Sequence, residues 1–344
     1  MQKLPETLAQ KLCAWYDAGH RELPWRQDTR PYPVWLSEIM LQQTRVEAVK
    51  GYYARFLREL PTIEDLSRCP PDRLTKLWEG LGYYSRVRNL QKAAQVIQDT
   101  YGGRFPETFE AVRALPGIGD YTAGAICSIC FGLPTPAVDG NVLRVLSRVM
   151  EDEAPITNQK TKNACREALV PVYQNGPRGT LTQALMELGA MVCVPNGAPR
   201  CESCPLREIC LANLHGTQDK FPVKEAKRPK REEHRTVFVL QCEDALAVRK
   251  RPGKGLLAGL WELPNVEGTL PAEQALAFAE EAGCEPFELQ KSVERTHVFT
   301  HIIWKMRCYY LLCREKSPEF VWAGAERRRT DVALPTAFRM FVEE

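Results

Sequence analysis

The chain has 344 residues, enough for two domains and too many for one ordinary core. With 44% hydrophobic and 26% charged residues it reads as soluble and globular, and a net charge of +3 is too small to imply nucleic acid by itself. No run of about 18 apolar residues is present to span a membrane, and the first stretch, MQKLPETLAQKLCAWYDAGH, breaks its apolar positions with charges and has no signal-peptide core. The 13 cysteines are an odd number in a chain without an export signal, which argues against a disulfide framework. Most read as buried small hydrophobes, but four are clustered.

Up to about residue 213 the periodicity is helical. Trp35, Ile39, Val46, Val49, Tyr53, Phe56 and Leu60 recur at spacings of three and four, or sums of these, until Pro61 ends the run. Similar stretches lie at Asp72–Trp78, Val87–Thr100, Tyr121–Phe131, Val142–Met150, Asn163–Tyr173 and Thr182–Val192. The segment 215–235 is polar, holds two prolines and carries a basic excess, so it reads as a linker. Beyond it the period changes. RTVFVLQCEDALAVRKR predicts two strands around a turn at Glu243–Asp244. PAEQALAFAEEAG predicts a helix ended by Gly283. HIIWKMRCYYLL alternates, with Ile302, Trp304, Met306, Cys308 and Tyr310 on one side and Lys305 and Arg307 on the other. The pattern predicts an all-α domain over 1–214, a linker over 215–235 and a smaller α+β domain over 236–344.

Four stretches carry chemistry. In LPGIGDYTAGAI, Leu115 to Ile126, Gly117 and Gly119 permit positive φ twice and leave room for another backbone. The following helix offers free N–H groups at its start, suited to a phosphate. With the helix Glu107–Ala114 before it, the unit over about 107–131 resembles the helix-hairpin-helix of DNA-repair proteins. In CVPNGAPRCESCPLREIC, Cys193, Cys201, Cys204 and Cys210 place four thiolates within one loop, where zinc or an iron–sulfur cluster would each accept them. The loop holds only one short C-x-x-C knuckle, whereas structural zinc sites usually pair two. In PYPVWLSEIMLQQT, Glu38 sits mid-helix among Trp35, Leu36, Ile39, Met40 and Leu41, with Gln42 one turn on. A carboxyl buried there would hold its proton near neutrality; the plain alternative is a solvated helix glutamate. In TPAVDGNVLRVLSRV, Asp139 reads as a helix N-cap, a position that favours the anion. Two carboxyls in opposed environments suit hydrolysis of a glycosidic bond.

Together these residues resemble the MutY-type adenine DNA glycosylases. The match runs through LPWR, SEIMLQQT, WEGLGYYSRVRNL, LPGIGDYTAGAI, AVDGNV, ALMELGAMVC and the cysteine loop, and on into a C-terminal module. The resemblance implies a base-excision repair enzyme that flips adenine from duplex DNA. Its targets would be 8-oxoguanine:adenine or guanine:adenine mispairs. It implies a monomer, cytoplasmic and DNA-associated, with no membrane partner. In the sister endonuclease III group a lysine stands where Tyr121 is here. That amine attacks the sugar and leads to strand cleavage, which a phenol cannot do, so Tyr121 implies a monofunctional enzyme. A bifunctional lyase and a non-enzymatic DNA-binding protein are the other two readings.

By the same resemblance, Glu38 protonates adenine at N7 and Asp139 stabilises the oxocarbenium-like sugar. Asn141 and Tyr121 orient them. Glu187 helps hold the adenine, with a plain surface residue as its alternative reading. Gln42 and Tyr83 enter the base stack, Thr44 joins the DNA contacts, and Trp25 and Arg26 match the pocket rim. The cysteine loop, C-x7-C-x2-C-x5-C, is similar to the 4Fe–4S loop of the endonuclease III superfamily, whose usual first gap is six. One extra residue barely alters loop-closure entropy. The C-terminal domain resembles the Nudix-like module that recognises 8-oxoguanine. Its helix keeps Glu280, Glu281 and Gly283, but Leu276 and Ala277 replace the leading Arg-Glu pair, so it reads as a binding domain. The family's Phe-Ser-His recognition loop is Phe299, Thr300 and His301 here.

Overall fold

The computed structural model describes residues 3–174, 176–225 and 229–342. Helices come first: α1 (Leu8–Gly19), α2 (Pro31–Leu41), α3 (Val46–Glu59), α4 (Ile63–Arg68), α5 (Pro71–Leu77), α6 (Ser85–Tyr101), α7 (Phe109–Arg113), α8 (Asp120–Phe131), α9 (Gly140–Met150), α10 (Gln159–Gln174), α11 (Arg178–Met191) and α12 (Leu211–His215). Then follow β1 (Arg231–Cys242), β2 (Ala245–Lys250), β3 (Trp261–Glu262), β4 (Asn265–Glu267), α13 (Ala272–Glu281), β5 (Pro286–Val298), β6 (Ile302–Cys313), β7 (Val321–Ala323), α14 (Ala325–Thr330) and α15 (Thr336–Arg339). The predicted class, helices followed by a smaller α+β fold, is borne out.

The chain divides into two compact units. One is Met1–Arg68 with Asn89–Ala226; the other is Cys69–Arg88 with Lys227–Glu344. The segment 69–88 therefore groups with the C-terminal sheet although it is helical and early in the chain. The predicted linker 215–235 contains the end of α12, a short turn of 3-10 helix at Gln218–Lys220 and the first residues of β1, while 226–228 lie outside the described residues.

In the first unit α9 is the central element, buried from Val142 to Val149. Its Val142, Val145, Leu146 and Val149 pack with Leu8 and Leu12 of α1, Leu169 and Tyr173 of α10, and Leu181 and Leu185 of α11. The single run predicted from Trp35 to Leu60 is two helices. It breaks between Leu41 and Val46, where Gln43 takes a left-handed φ of 57°. The two pieces have different burial: α2 is buried from Tyr32 to Met40, whereas α3 buries only Val49, Tyr53 and Phe56. A straight helix could not serve both.

The second unit is built on a mixed sheet of order β3-β2-β1-β6-β5, with β4 also on β1 and β7 on β2. β1 runs parallel to β6 from Arg231 opposite Ile302 to Gln241 opposite Leu312, and β5 is antiparallel to β6. Alternation along β6 feeds two cores. Trp304, Met306, Cys308 and Tyr310 face Phe338 and Phe341. Tyr309 and Leu311 face Ala275 and Ala279 of α13.

Candidate active site

One cleft of about 1230 Å³ in the helical unit is lined by Trp25, Arg26, Glu38, Gln42, Thr44, Gly119, Tyr121, Asp139, Asn141 and Glu187. These predicted residues come from five separate stretches of sequence. Glu38 is 6% exposed, because α2 is packed on every side. The Tyr121 hydroxyl, from α8, donates to Glu38 Oε2 at 2.5 Å. Burial pushes the Glu38 carboxyl up to about 7, reinforced by Asp139 and opposed by the Tyr121 hydrogen bond and the Arg26 charge. Tyr121 itself is held well above its usual value by burial and by the two carboxyls.

Asp139 caps α9 as predicted: Oδ1 accepts from Val142 N at 2.8 Å and Oδ2 from Asn141 Nδ2 at 2.8 Å. Its carboxyl is nevertheless pushed up, by burial, against these hydrogen bonds and the Arg144 charge. Burial thus works against the anion that the N-cap position favours. What separates the two carboxyls is their donors. Asp139 has a backbone amide, an amide side chain and a nearby guanidinium, whereas Glu38 has one phenol.

Behind Asp139 the support continues. Arg144 Nη2 donates to Asn141 Oδ1 at 2.8 Å and to Gly189 O at 2.7 Å, and its Nε donates to Cys193 O at 2.7 Å. Asn141 is thereby fixed between carboxylate and guanidinium. The packing needs a glycine in α11: a Cβ on Gly189 would lie 2.5 Å from Asn141 Cβ. Sequence reasoning passed over Arg144, whose position on a buried helix face carries no sign of its partners.

Glu187 is not a surface residue: it lines the cleft and is ion-paired. It is 2% exposed. Oε1 accepts from Arg21 N at 3.0 Å and Nε at 2.8 Å, and Oε2 accepts from Arg21 Nη2 at 2.6 Å and Arg26 Nη2 at 2.7 Å. Burial would raise its carboxyl, but the two arginines win and hold it at about 2. Arg26 is therefore part of the wall, bonded also to Arg21 O at 2.8 Å. Arg21 was missed, since nothing local in the sequence marks it. Trp25 is buried edge-on to Tyr53 at 5.5 Å. Gln42 Nε2 donates to Thr122 Oγ1 at 3.3 Å, and Thr44 Oγ1 to Gln42 O at 3.4 Å.

The glycine turn uses positive φ once, not twice. Gly117 has φ 76°, and a Cβ there would sit 2.6 Å from Asn89 Cβ. Gly119 is extended, at φ −101° and ψ −179°, because it is the N-cap of α8. Asp120, next in line, pairs with Arg113 and Arg166, which with Lys162 and Lys224 give the cleft a basic rim.

A second, small pocket is lined by Cys193, Cys201, Cys204 and Cys210 with Val145, Val149, Leu188 and Leu206. The four sulfurs thus share one apolar chamber. Arg148 Nη1 donates to Cys193 Sγ at 3.3 Å. Burial pushes the Cys204 thiol up to about 12, so a cationic centre is what would keep these groups as thiolates. Tyr83, Phe299, Thr300 and His301 belong to the other unit.

Glu38 makes a prediction that needs no substrate. Its carboxyl is raised from 4.5 to about 7, so the folded state is favoured by protonation and loses that term as pH rises through 7. The difference corresponds to about 3 kcal/mol. Glu38→Gln should match the parent near pH 4.5 and be more stable by up to this amount near pH 8. Denaturant titrations at both pH values check it; an equal difference at both would show that the carboxyl is not raised.

Comparison with known proteins identifies the family of this chain. The family described as HhH-GPD superfamily base excision DNA repair protein matches residues 36–171, and the NUDIX domain family matches residues 236–344. The adenine DNA glycosylase of Rattus norvegicus is 34% identical over 399 residues, spanning 96% of this chain and 77% of that protein. That of Homo sapiens is 36% identical over 372 residues, spanning 89% and 67%. Among solved structures, a thermostable thymine-DNA glycosylase is 27% identical with a TM-score of 0.54, covering 61% of this chain and 96% of its own. An endonuclease III in a non-covalent DNA complex shares the fold at 22% identity and a TM-score of 0.52, covering 62% and 99%. The resemblance read from the sequence is borne out: this chain belongs to the adenine DNA glycosylases, enzymes of the HhH-GPD superfamily.

Proposed function

We propose that this enzyme is a monofunctional glycosylase that hydrolytically removes adenine mispaired with 8-oxoguanine or guanine in duplex DNA. The observation that carries the proposal is the buried carboxyl of Glu38, raised to about 7 and facing a cleft shared with Asp139. A base leaves a deoxyribose readily only when protonated. Glu38, half protonated at neutral pH, supplies that proton at adenine N7. The positive charge that then develops on the sugar is met by Asp139, fixed as acceptor by Val142, Asn141 and Arg144. Tyr121 stands where a lyase would need an amine, and its phenol bonds to Glu38. Water adds to the sugar without strand cleavage. Gly117, Gly119 and the basic rim of the cleft take the phosphate backbone, with Gln42 and Thr44 at the opened base step.

Glu38→Gln should abolish base release, since proton transfer contributes about 10²–10⁴-fold and an amide cannot supply it. The parent's single-turnover rate should fall as pH rises above about 7. Product analysis on a duplex with adenine opposite 8-oxoguanine decides the main reading: free adenine and an intact abasic strand are expected. Strand nicking without added base, or a near-normal rate in the variant, would overturn it.

Cys193, Cys201, Cys204 and Cys210 would hold a 4Fe–4S cluster, which orders the loop and takes no part in base release. The chamber, with its four sulfurs, apolar side chains and the Arg148 guanidinium at Cys193, suits such a group. Anaerobically purified protein should be brown and contain about four irons per chain. Stoichiometric zinc with little iron would refute this. Cys201→Ser should lower yield and DNA affinity.

The Nudix-like unit would read the opposite strand through Phe299, Thr300 and His301. In 8-oxoguanine N7 carries a proton, which a hydroxyl can accept. Thr300→Val should cost about 1–3 kcal/mol on adenine opposite 8-oxoguanine, roughly 5- to 150-fold, and less opposite guanine. Thr300→Ser should keep the preference. Rates on both duplexes check it, and an unchanged preference in Thr300→Val would remove the loop's role.

A further inference from the structure

We propose that Tyr83 is a specificity-determining residue: its phenol positions the Thr300 hydroxyl, and the two read the lesion as one unit. The inference rests on the lesion-reading role of Thr300 given above. The observation is a contact between residues 217 positions apart, Tyr83 Oη to Thr300 Oγ1 at 3.1 Å. Both lie in the same compact unit, because Cys69–Arg88 groups with the C-terminal sheet.

Each partner is held from behind. On the Tyr83 side the backbone is pinned. Trp78 Nε1 donates to Gly82 O at 3.1 Å, and Arg86 Nη2 donates to Leu81 O at 3.0 Å and Gly82 O at 3.1 Å. Tyr83 itself has a φ of 46°, a left-handed conformation that a tyrosine rarely adopts and that the surrounding bonds impose. The segment is tied to the sheet unit by Lys76 Nζ to Val332 O at 3.2 Å and by Leu334 N to Glu79 Oε1 at 2.7 Å. Arg88 also donates to Ala258 O. On the Thr300 side, the tip of the β5–β6 hairpin is closed by Phe299 N to Ile302 O at 2.8 Å. Lys230 Nζ donates to Phe299 O at 2.8 Å, and the Phe299 ring packs edge-on to Trp304 at 4.9 Å.

Two anchored backbones thus bring two exposed hydroxyls together. A threonine hydroxyl has one proton and two lone pairs, and an exposed one rotates. Guanine N7 accepts, whereas N7–H of the lesion donates. A freely rotating hydroxyl satisfies either and discriminates poorly. When Thr300 gives its proton to Tyr83 Oη, only its lone pairs remain for the base, so it can accept from the lesion's N7–H and has no proton to offer guanine N7. The Tyr83 ring, 46% exposed, remains available to stack on a base. The phenol oxygen therefore has a task separate from the ring.

Tyr83→Phe keeps the ring and deletes only that oxygen. Single-turnover adenine excision is measured opposite 8-oxoguanine and opposite guanine for the parent, Tyr83→Phe, Thr300→Val and the double variant. The rate ratio of the two duplexes should fall about three- to tenfold in Tyr83→Phe, the range of one hydrogen bond. The double variant should be no worse in that ratio than Thr300→Val alone. Tyr83→Phe should also weaken the tolerance of Thr300→Ser, because serine lacks the methyl that limits rotation. A ratio within twofold of the parent in Tyr83→Phe, or a double variant whose loss is the product of the two singles, overturns the coupling. An unchanged ratio in Thr300→Val overturns the lesion reading on which it rests, whatever Tyr83→Phe does.

Discussion

The side chain of Asp139 closes the first turn of α9, and the chemistry of the helical unit is arranged around that cap. A buried carboxylate survives only with donors, and α9 supplies them from its own start: Val142 N, then Asn141 Nδ2. Asn141 is held in turn by Arg144, one turn along, and Arg144 reaches the carbonyls of Gly189 and Cys193. One helix end thus ties a carboxylate to the end of α11 and to the start of the cysteine loop. The constraint extends to α11, where any side chain at position 189 would collide with Asn141. The start of the cysteine loop and Asp139 are thus linked through Arg144 and Asn141.

Across the cleft Glu38 is treated differently. Nothing caps it, because it lies mid-helix where the backbone amides are already used. Its only hydrogen-bond donor among the contacts described is Tyr121, and burial prevails. The two carboxyls gain different roles from ordinary differences of location, a helix start against a helix middle. Neither would be set this way on an exposed surface. The apolar stretch from Tyr32 to Met40 is what removes Glu38 from water.

Much of this was legible in the sequence, and the limits were physical. Glu38 announced itself as a charge in an apolar run, and Asp139 as a cap before a periodic one, because both signals are local. The helices were visible through their period, although the break at Gln43 was not. A left-handed residue there answers to tertiary burial, not to composition. β5 was missed for a different reason. It is an edge strand with no buried position from Pro286 to Val298, so its sequence shows no alternation. The grouping of Cys69–Arg88 with the sheet unit, and the pairing of Tyr83 with Thr300, are long-range facts with no local trace. The Arg21–Glu187–Arg26 cluster is of the same kind.

That cluster also explains how the cleft tolerates its own charges. A guanidinium near Glu38 lowers the carboxyl's affinity for a proton, and Arg26 acts in that direction. Unopposed, such a charge would favour the anion and reduce the fraction of Glu38 that holds a proton at neutral pH. Arg26 is itself ion-paired with Glu187, which Arg21 also pairs. A buried Arg-Glu-Arg set contributes little net stability, so its value here is positional and electrostatic. It keeps a rigid polar wall beside Trp25 while leaving burial, the largest influence on Glu38, in command. The two carboxyls of the cleft wall thus diverge for local reasons: two arginines hold Glu187 as an anion, and burial lets Glu38 keep its proton.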